Sequence, residues 1–260
     1  MRVYVLGSGS GGNALLVDAN GTRVLVEAGL GPRIVAARLA ELGVDLAPGE
    51  LDGIVATHEH GDHFGHAAQL AAAFGAPLYL HAGIDAPAAD VTVHRYPIGR
   101  AFRVGGLAFA SVHVPHDVMQ VALRVDDGVR ALGVATDVGR VTNDLVALLA
   151  ECDAALLEAN HCAEMLAFSD YPDVVKRRVG GGLGHLSNAQ AAELAARLVG
   201  SRLARLWLGH LSRTNNSPAR ALDVVAARAR RIDVSVLPDA TPIALDVHTT
   251  RPHQLGLPFG

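Results

Sequence analysis

Short apolar runs broken by Gly, Asp or Arg set the rhythm of this chain; residues 51–56 and 203–208 are examples. Strand-like segments come first, at residues 2–6, 14–18 and 22–27. The last two are joined by Asn20-Gly21, a pair that suits a tight hairpin because both residues tolerate positive φ. Residues 32–42 change period: apolar positions recur at helical spacing, with Pro32 at the start and Gly43 closing the run. A strand over 54–56, a helix over 66–74 and a strand over 77–81 follow. Residues 91–136 return to strands, with turns at Gly105-Gly106 and Asp127-Gly128. Beyond them the spacing predicts helices over 143–151, 171–178, 188–199 and 219–230, with strands over 154–158 and 205–208 between. Each half thus runs strands first and helices after. That order predicts an α/β fold in which two sheets pack face to face under outer helices, a four-layer αββα sandwich. No linker, low-complexity stretch or long charge run divides the chain. It reads as a single domain over residues 1–248 with a C-terminal tail at 249–260.

Composition adds limits. Half of the 260 residues are apolar and 18% are charged, which is ample for a globular core. No apolar run approaches the length of a membrane span, and no charged-then-apolar leader precedes the first strand. Cys152 and Cys162 are too few for a disulfide scaffold, so a reducing cytoplasmic location without membrane contact is expected. The net charge of −4 argues against a protein that holds nucleic acid by bulk electrostatics. The acidic excess lies in the first half, with 13 acidic and 9 basic side chains over residues 1–130 and 13 of each over 131–260. Basic residues cluster at Lys176-Arg177-Arg178, at Arg197, Arg202 and Arg205, and at Arg228, Arg230 and Arg231. Solvated helix faces are the plain reading of these clusters, and phosphate contact is the functional one.

The densest chemistry is Thr57-His58-Glu59-His60-Gly61-Asp62-His63, delivered by the strand at 54–56. Imidazole and carboxylate are the donors that borderline divalent metals select. Three histidines cannot all enter a core, because each ring nitrogen needs a partner. Further donors are expected at strand ends. Val112-His113-Val114-Pro115-His116-Asp117 offers His116, after a proline that stops the strand, in preference to His113 inside the alternation. Thr136-Asp137 ends an apolar strand in a carboxylate able to bridge two metals, and Leu208-Gly209-His210 repeats the layout. The expected set is His58, His60, His116 and Asp137 around one ion, and Asp62, His63, Asp137 and His210 around the other. Seven donors for two ions leave positions for water and substrate. Zinc or manganese suits them, and iron is compatible. His81, His94, His248 and His253 lack sequence partners and read as surface residues. The loop at 7–12 lacks the Lys-Ser/Thr of a phosphate-binding loop and reads as a tight turn under the site.

This set resembles the metallo-β-lactamase superfamily over nearly the whole chain. Asp18, His58-x-His60-x-Asp62-His63, His116, Asp137 and His210 match its motifs. The His-x-His-x-Asp-His form resembles the hydrolases and not the diiron oxidoreductases, which carry a glutamate at the second histidine. Leu6-Gly7-Ser8-Gly9-Ser10-Gly11-Gly12-Asn13, Leu157-Glu158-Ala159-Asn160-His161, Gly184-His185-Leu186-Ser187-Asn188 and Gly209-His210-Leu211-Ser212 followed by Asn215-Asn216 are similar to the YycJ (WalJ/VicX) group. That bacterial group is related to tRNase Z and RNase J and is associated with 5′→3′ exonuclease activity on DNA, linked to mismatch repair. The chain departs from the group pattern at Cys162, where the group has aspartate, and at Ser169-Asp170, where it has a glycine.

The resemblance implies a two-metal phosphodiesterase in which the metals lower the pKa of a bridging water. Asp62 would position or deprotonate that water. His185 would protonate the leaving 3′-oxygen with Glu158 as its orienting partner, a pair similar to the glutamate and histidine motifs of tRNase Z. His161 is either a holder of ligands or a simple loop residue. Ser212, Arg213, Asn215 and Asn216 follow a ligand directly and are candidates for binding substrate phosphate, although Asn-Asn-Ser-Pro is also an ordinary turn before a helix. Nucleic acid, DNA first, is the expected partner. The alternative is a metallohydrolase for a cyclic phosphodiester, lactone or thioester. Arg177, Arg178 and Arg213 gathered around the cleft would favour a polynucleotide, and a closed apolar pocket a small ligand.

Overall fold

Alternation along the strands sorts the apolar side chains into three separately packed groups, and these groups fill the spaces between four layers. In the computed structural model, which describes residues 1–248, one sheet contains β1 (Arg2–Gly7), β2 (Ala14–Ala19), β3 (Thr22–Val26), β4 (Gly53–Val55), β5 (Leu78–Leu80) and β6 (Val93–Arg95). Helices α1 (Pro32–Glu41), α2 (Gly61–Phe64) and α3 (Ala67–Phe74) lie in its connections. The other sheet runs through β7 (Phe102–Val104), β8 (Leu107–Val114), β9 (Gln120–Asp126), β10 (Ala131–Ala135), β11 (Ala154–Glu158), β12 (Arg205–Gly209) and β13 (Asp233–Val236). Its connections carry α4 (Asn143–Ala150), α5 (Ala163–Phe168), α6 (Asp173–Val179), α7 (Asn188–Leu198) and α8 (Pro218–Ala226). The last strand, β14 (Ile243–Asp246), crosses back to pair antiparallel with β1. The expected tail at 249–260 lies outside the described residues.

Val3 and Val5 of β1, Val24 and Val26 of β3, Leu132 and Val134 of β10 and Trp207 of β12 all point between the sheets. Their neighbours Tyr4, Leu6 and Leu25 turn outward under α1 and α3. On the far side, Ala131, Leu157, Leu206 and Leu208 pack under α4, α7 and α8. Strands apolar on both faces are what a sheet covered on both sides requires. Each fully buried Leu or Val contributes about 1.5–3 kcal/mol of transfer free energy. The four-layer αββα sandwich expected from the sequence is therefore the fold.

Two features place the functional residues. β3 to β6 are mutually parallel in one sheet, and β10 to β13 in the other. Parallel strands end on the same side, so the loops after β3, β4, β10, β11 and β12 meet along one edge. The hairpin at Asn20-Gly21 has φ of 55° and 71°, as a tight two-residue turn demands.

Four elements lie beyond the sequence expectation: α2, α5, β13 and β14. The two strands are short, border their sheets and are only part buried, so their apolar periodicity is weak. The rule of strands first and helices after consequently fails at the end of the chain. α8 also stops at Ala226, short of the expected 230.

Candidate metal centre

Buried parallel strands end at most of the candidate residues, so hydrogen-bonded backbone sets their positions. Glu27 follows β3, Glu158 closes β11, and His210 follows β12. Asp137 stands two residues past β10. Glu27, Asp137 and His210 have φ of 68°, 55° and 53°. Such left-handed turns cost non-glycine residues of order 1–3 kcal/mol and persist where the surroundings over-determine them. Here the turn aims each side chain across the strand ends.

The histidine loop is held from beneath. Glu27 accepts from the hydroxyl and backbone N–H of Thr57 and lies 3.3 Å from Nδ1 of His63. His81 is buried; its Nδ1 accepts from Gly83 N–H at 3.0 Å while its Nε2 donates to the carbonyl of Thr57 at 2.9 Å. Burial, chiefly, lowers the pKa of His81 and keeps it neutral in this tautomer. His81 is thus a buried support, correcting its reading as a surface residue, whereas His94 and His248 are exposed and His253 lies outside the described residues. Asn13, from the glycine loop after β1, bonds Gly9 and places its amide nitrogen 2.8 Å from Nε2 of His63. Gly29 lets the loop approach: a Cβ there would stand 1.7 Å from the carbonyl oxygen of Asp62. The glycine loop buttresses the site as expected, since Ser8 Oγ also accepts from the backbone N–H of His210.

Asp137 is the hub. One carboxylate oxygen lies 2.7 Å from Nε2 of His63 and 3.2 Å from Nε2 of His58. The other lies 3.1 Å from Nδ1 of His185 and 3.2 Å from Nδ1 of His210. Burial raises its pKa, but the surrounding histidines, His210 and His63 foremost, overcome this and hold it well below the ordinary carboxylate value. Glu158 is fully buried and accepts from the backbone N–H groups of Val138 and Leu186 at 2.6 and 2.9 Å, with its second oxygen 3.1 Å from Nδ1 of His185. Burial opposes the charge on His185, yet Glu158 and Asp137 push its pKa up to about 9. Burial opposes the charge on His63 as well, and Asp137 and Glu27 raise it to about 10. His60 and His116 go the other way: burial first, and neighbouring histidines, lower both. Neutral imidazole is the form that ligates a metal.

Donor atoms of His58, His60 and His116 lie within 4.8 Å of one another, and so do those of Asp62, His63 and His210. Asp137 touches members of both groups, so the structure brings all seven expected donors to one place. The buried Nε2 of His58, Nδ1 of His63, both ring nitrogens of His210 and Oδ1 of Asp137 make no well-directed hydrogen bond and are met only by the close imidazole–carboxylate contacts of 3.1–3.6 Å within the cluster. Buried orphans of this kind are rare unless something else satisfies them, and imidazole-plus-carboxylate chemistry fits a divalent cation. His113, by contrast, is exposed on β8. Asp18 is not at the centre: it pairs with Arg23 at 3.2 Å, and the carboxylate at that end of the first sheet is Glu27.

A cleft of about 610 Å³ opens over the donors. Ser212, Arg213 and Asn215 line it, as does Ser10. Arg213 is held by Asp239 at its rim. Asn215 is buried with both amide atoms unpartnered. Asn216 departs from the expectation that it meets substrate. Its amide is consumed by the carbonyls of Ala159 and Asn160 and by a reciprocal pair with buried Asn188, at 2.8 and 2.9 Å. His161 is buried, bridged to Ser187. Cys162 caps α5 and bonds through its N–H to the carbonyl of Asn215, tying α5 to the loop after His210.

Sequence reasoning passed over Glu27 and Asp117 and misplaced His81, while Arg178, named as a residue to look for around the cleft, does line it. Glu27 carried a usable signal, since an apolar strand ending in a carboxylate is the layout that exposed Asp137. Asp117 has Oδ1 3.2 Å from Nε2 of both His60 and His116.

Residues 22–210 match the family described as the β-lactamase superfamily domain. The chain is 30% identical over 251 residues, 90% of each chain, to the exodeoxyribonuclease WalJ of Streptococcus pneumoniae. It is 30% identical over 226 residues, 83% of this chain and 84% of the other, to the exodeoxyribonuclease YycJ of Bacillus anthracis. In fold it is similar to the metallo-β-lactamase fold protein YhfI of Bacillus subtilis, with a TM-score of 0.72 at 16% identity over 94% of this chain and 99% of that one. The chain belongs to the β-lactamase superfamily and, within it, to the group of WalJ and YycJ. Fold, family and donor set define a metal-dependent hydrolase. Among the described residues no helix is long and apolar enough to cross a membrane.

Proposed function

We propose that the protein is a two-metal phosphodiesterase that degrades DNA from the 5′ end in the service of DNA repair; the relatives named exodeoxyribonucleases support the choice of DNA as substrate. The observation that carries this reading is His185. It stands at the wall of the cleft, beside the shared carboxylate Asp137, with its Nδ1 held by fully buried Glu158.

Divalent ions, zinc or manganese, held by His58, His60, His116 and Asp137 and by Asp62, His63, Asp137 and His210 would stabilise charge on the phosphate oxygens and make a nucleophilic water available near neutral pH. The chain's own groups do the rest. Asp62 reaches into the cleft with Oδ2 3.6 Å from Nε2 of both His63 and His210, placed to orient an attacking water and accept its proton. His185, whose pKa Glu158 and Asp137 raise, is placed to give a proton from Nε2 to the departing 3′-oxygen. Glu158 fixes the ring and balances its charge. Ser212, Arg213 and Asn215 meet the strand, while Asn216 shapes their loop from behind.

Arg178 and Arg213 both line the cleft, whereas Arg177 does not. Two arginines at the cleft favour a polynucleotide over a small apolar ligand. The test is digestion of end-labelled single- and double-stranded DNA, 5′-phosphorylated and not, by protein loaded with manganese or zinc, with His60→Ala as control. Stepwise loss from the 5′ end, absent in the control, is expected. Intact DNA alongside cleavage of a chromogenic phosphodiester would point to the small-molecule alternative.

A further inference from the structure

Helix α6 has no buried residue among its seven. Most helices in a fold are held by a buried apolar face, so a helix whose best-covered side chains, Val175, Lys176 and Val179, are only half-buried is placed for another reason. What α6 does present is a stripe: Tyr171 just before it, then Val175, Arg178 and Val179, spaced four, three and one residues apart, all line the cleft. Residues so spaced share one helical face. The only charged member of that stripe is Arg178.

Arg178 is 70% exposed at its side chain yet is not loose. Its Nε and one terminal nitrogen donate to Oδ2 of Asp117 at 3.0 and 2.7 Å. The other oxygen of Asp117 faces the Nε2 atoms of His60 and His116 at 3.2 Å. A solvent-exposed ion pair of this kind is worth little and is readily exchanged. Guanidinium binds a phosphate through the same forked geometry that it uses for a carboxylate. Asp117 thus keeps Arg178 beside the metal-binding histidines and pointed at the cleft until a phosphate arrives.

We propose that Arg178 is a phosphate-selecting residue of the substrate site, held by Asp117 in the free protein and handed to a backbone phosphate of the bound strand. The inference rests on the nuclease reading and adds to it a residue that chooses a phosphate-bearing chain. While Arg178 contacts the phosphate, Tyr171, Val175 and Val179 offer the base or sugar beside it an apolar wall.

The experiment is fluorescence anisotropy of a labelled phosphorothioate oligothymidylate, which resists cleavage, on the metal-loaded full-length protein at several salt concentrations. Arg178→Ala is expected to weaken binding about tenfold and to reduce the slope of log affinity against log salt by about one, the signature of a lost phosphate contact. On an ordinary strand it should raise KM with a smaller change in kcat. Arg178→Lys still neutralises Asp117 but lacks the fork; it should restore the salt slope and only part of the affinity. Arg177→Ala, exposed on the same helix and absent from the cleft lining, should bind within twofold of wild type. Wild-type digestion of DNA together with Arg178→Ala binding within twofold and an unchanged slope would overturn this inference alone. Wild-type protein that leaves every strand intact would overturn the nuclease reading, and this inference with it.

Discussion

At the floor of the cleft, Glu158 is fully buried, accepts two backbone N–H groups and holds a histidine; in the wall above it, α6 has no fully buried side chain and meets the site through the exposed Arg178–Asp117 pair and one backbone bond, from His185 N–H to the carbonyl of Val179. The floor is over-determined. Strand ladders fix its backbone, three residues are held at positive φ, and Glu27, Asn13 and His81 support the histidines from behind. The wall is held by few contacts and by groups that can change partners. Chemistry that must place donors within tenths of an ångström is built on strands, and contact with a long, variable substrate is built on a helix that little constrains.

The floor is most vulnerable at Asp137. Asparagine tolerates positive φ and keeps the shape, so Asp137→Asn should fold with an unchanged circular dichroism spectrum. It should also lose most of its bound metal by elemental analysis and on the order of 10³-fold in turnover. Retained metal with normal turnover would show that Asp137 is not the hub of the centre. Next comes His185→Ala, expected to lower kcat on DNA by roughly 10²–10⁴-fold while metal content stays put. Turnover within a few-fold of wild type would end its role as the acid.

Stability sharpens the contrast at a smaller scale. Leu157→Ala, under the floor, should cost about 2–5 kcal/mol in urea unfolding. Val174→Ala on exposed α6 should stay within about 0.5 kcal/mol. Equal losses at both positions would mean that the wall is as tightly packed as the floor. The mildest probe is the thiols. The N–H of Met165, foremost, and Arg220 lower the pKa of Cys162 at the start of α5, whereas burial pushes Cys152 up to about 12. Thiolate is the reactive form. At pH 7.5 iodoacetamide should therefore label Cys162 alone, with Cys152 following only in denaturant, as peptide mass spectrometry would read.

Floor and wall also differ in how far the sequence betrays them. An apolar strand ending in His or Asp is a pattern visible in one dimension, and it led to Asp137 and His210. Glu27 carried the same pattern but was absorbed as the last residue of its strand. His81 could not be found this way, because its partners are the carbonyl of Thr57 and the N–H of Gly83, which belong to the backbone and leave no mark in residue type. Asn216 misled for the converse reason: its place after His210 suggested substrate, while its partners at residues 159, 160 and 188 come from elsewhere in the chain. The helix that became α6 was legible from its spacing. That it would fully bury no side chain was not, since burial depends on what lies across from it. β14 was missed because a short, half-exposed border strand has little periodicity to show.

Asn188 and Asn216 each give one N–H to the other and take one in return, which fastens the loop after His210 to the start of α7 beside His185. Hydrolysis of either amide to an acid, the slow chemistry of ageing proteins, replaces an NH2 by an oxygen and sets two acceptors face to face in a buried space. The hydrophobic layers would not register the change, but the two histidine-bearing loops would lose their common anchor. An old sample would then melt somewhat below a fresh one and lose its turnover well before it loses its fold: the shelf life of the fold and the shelf life of the centre are separate quantities.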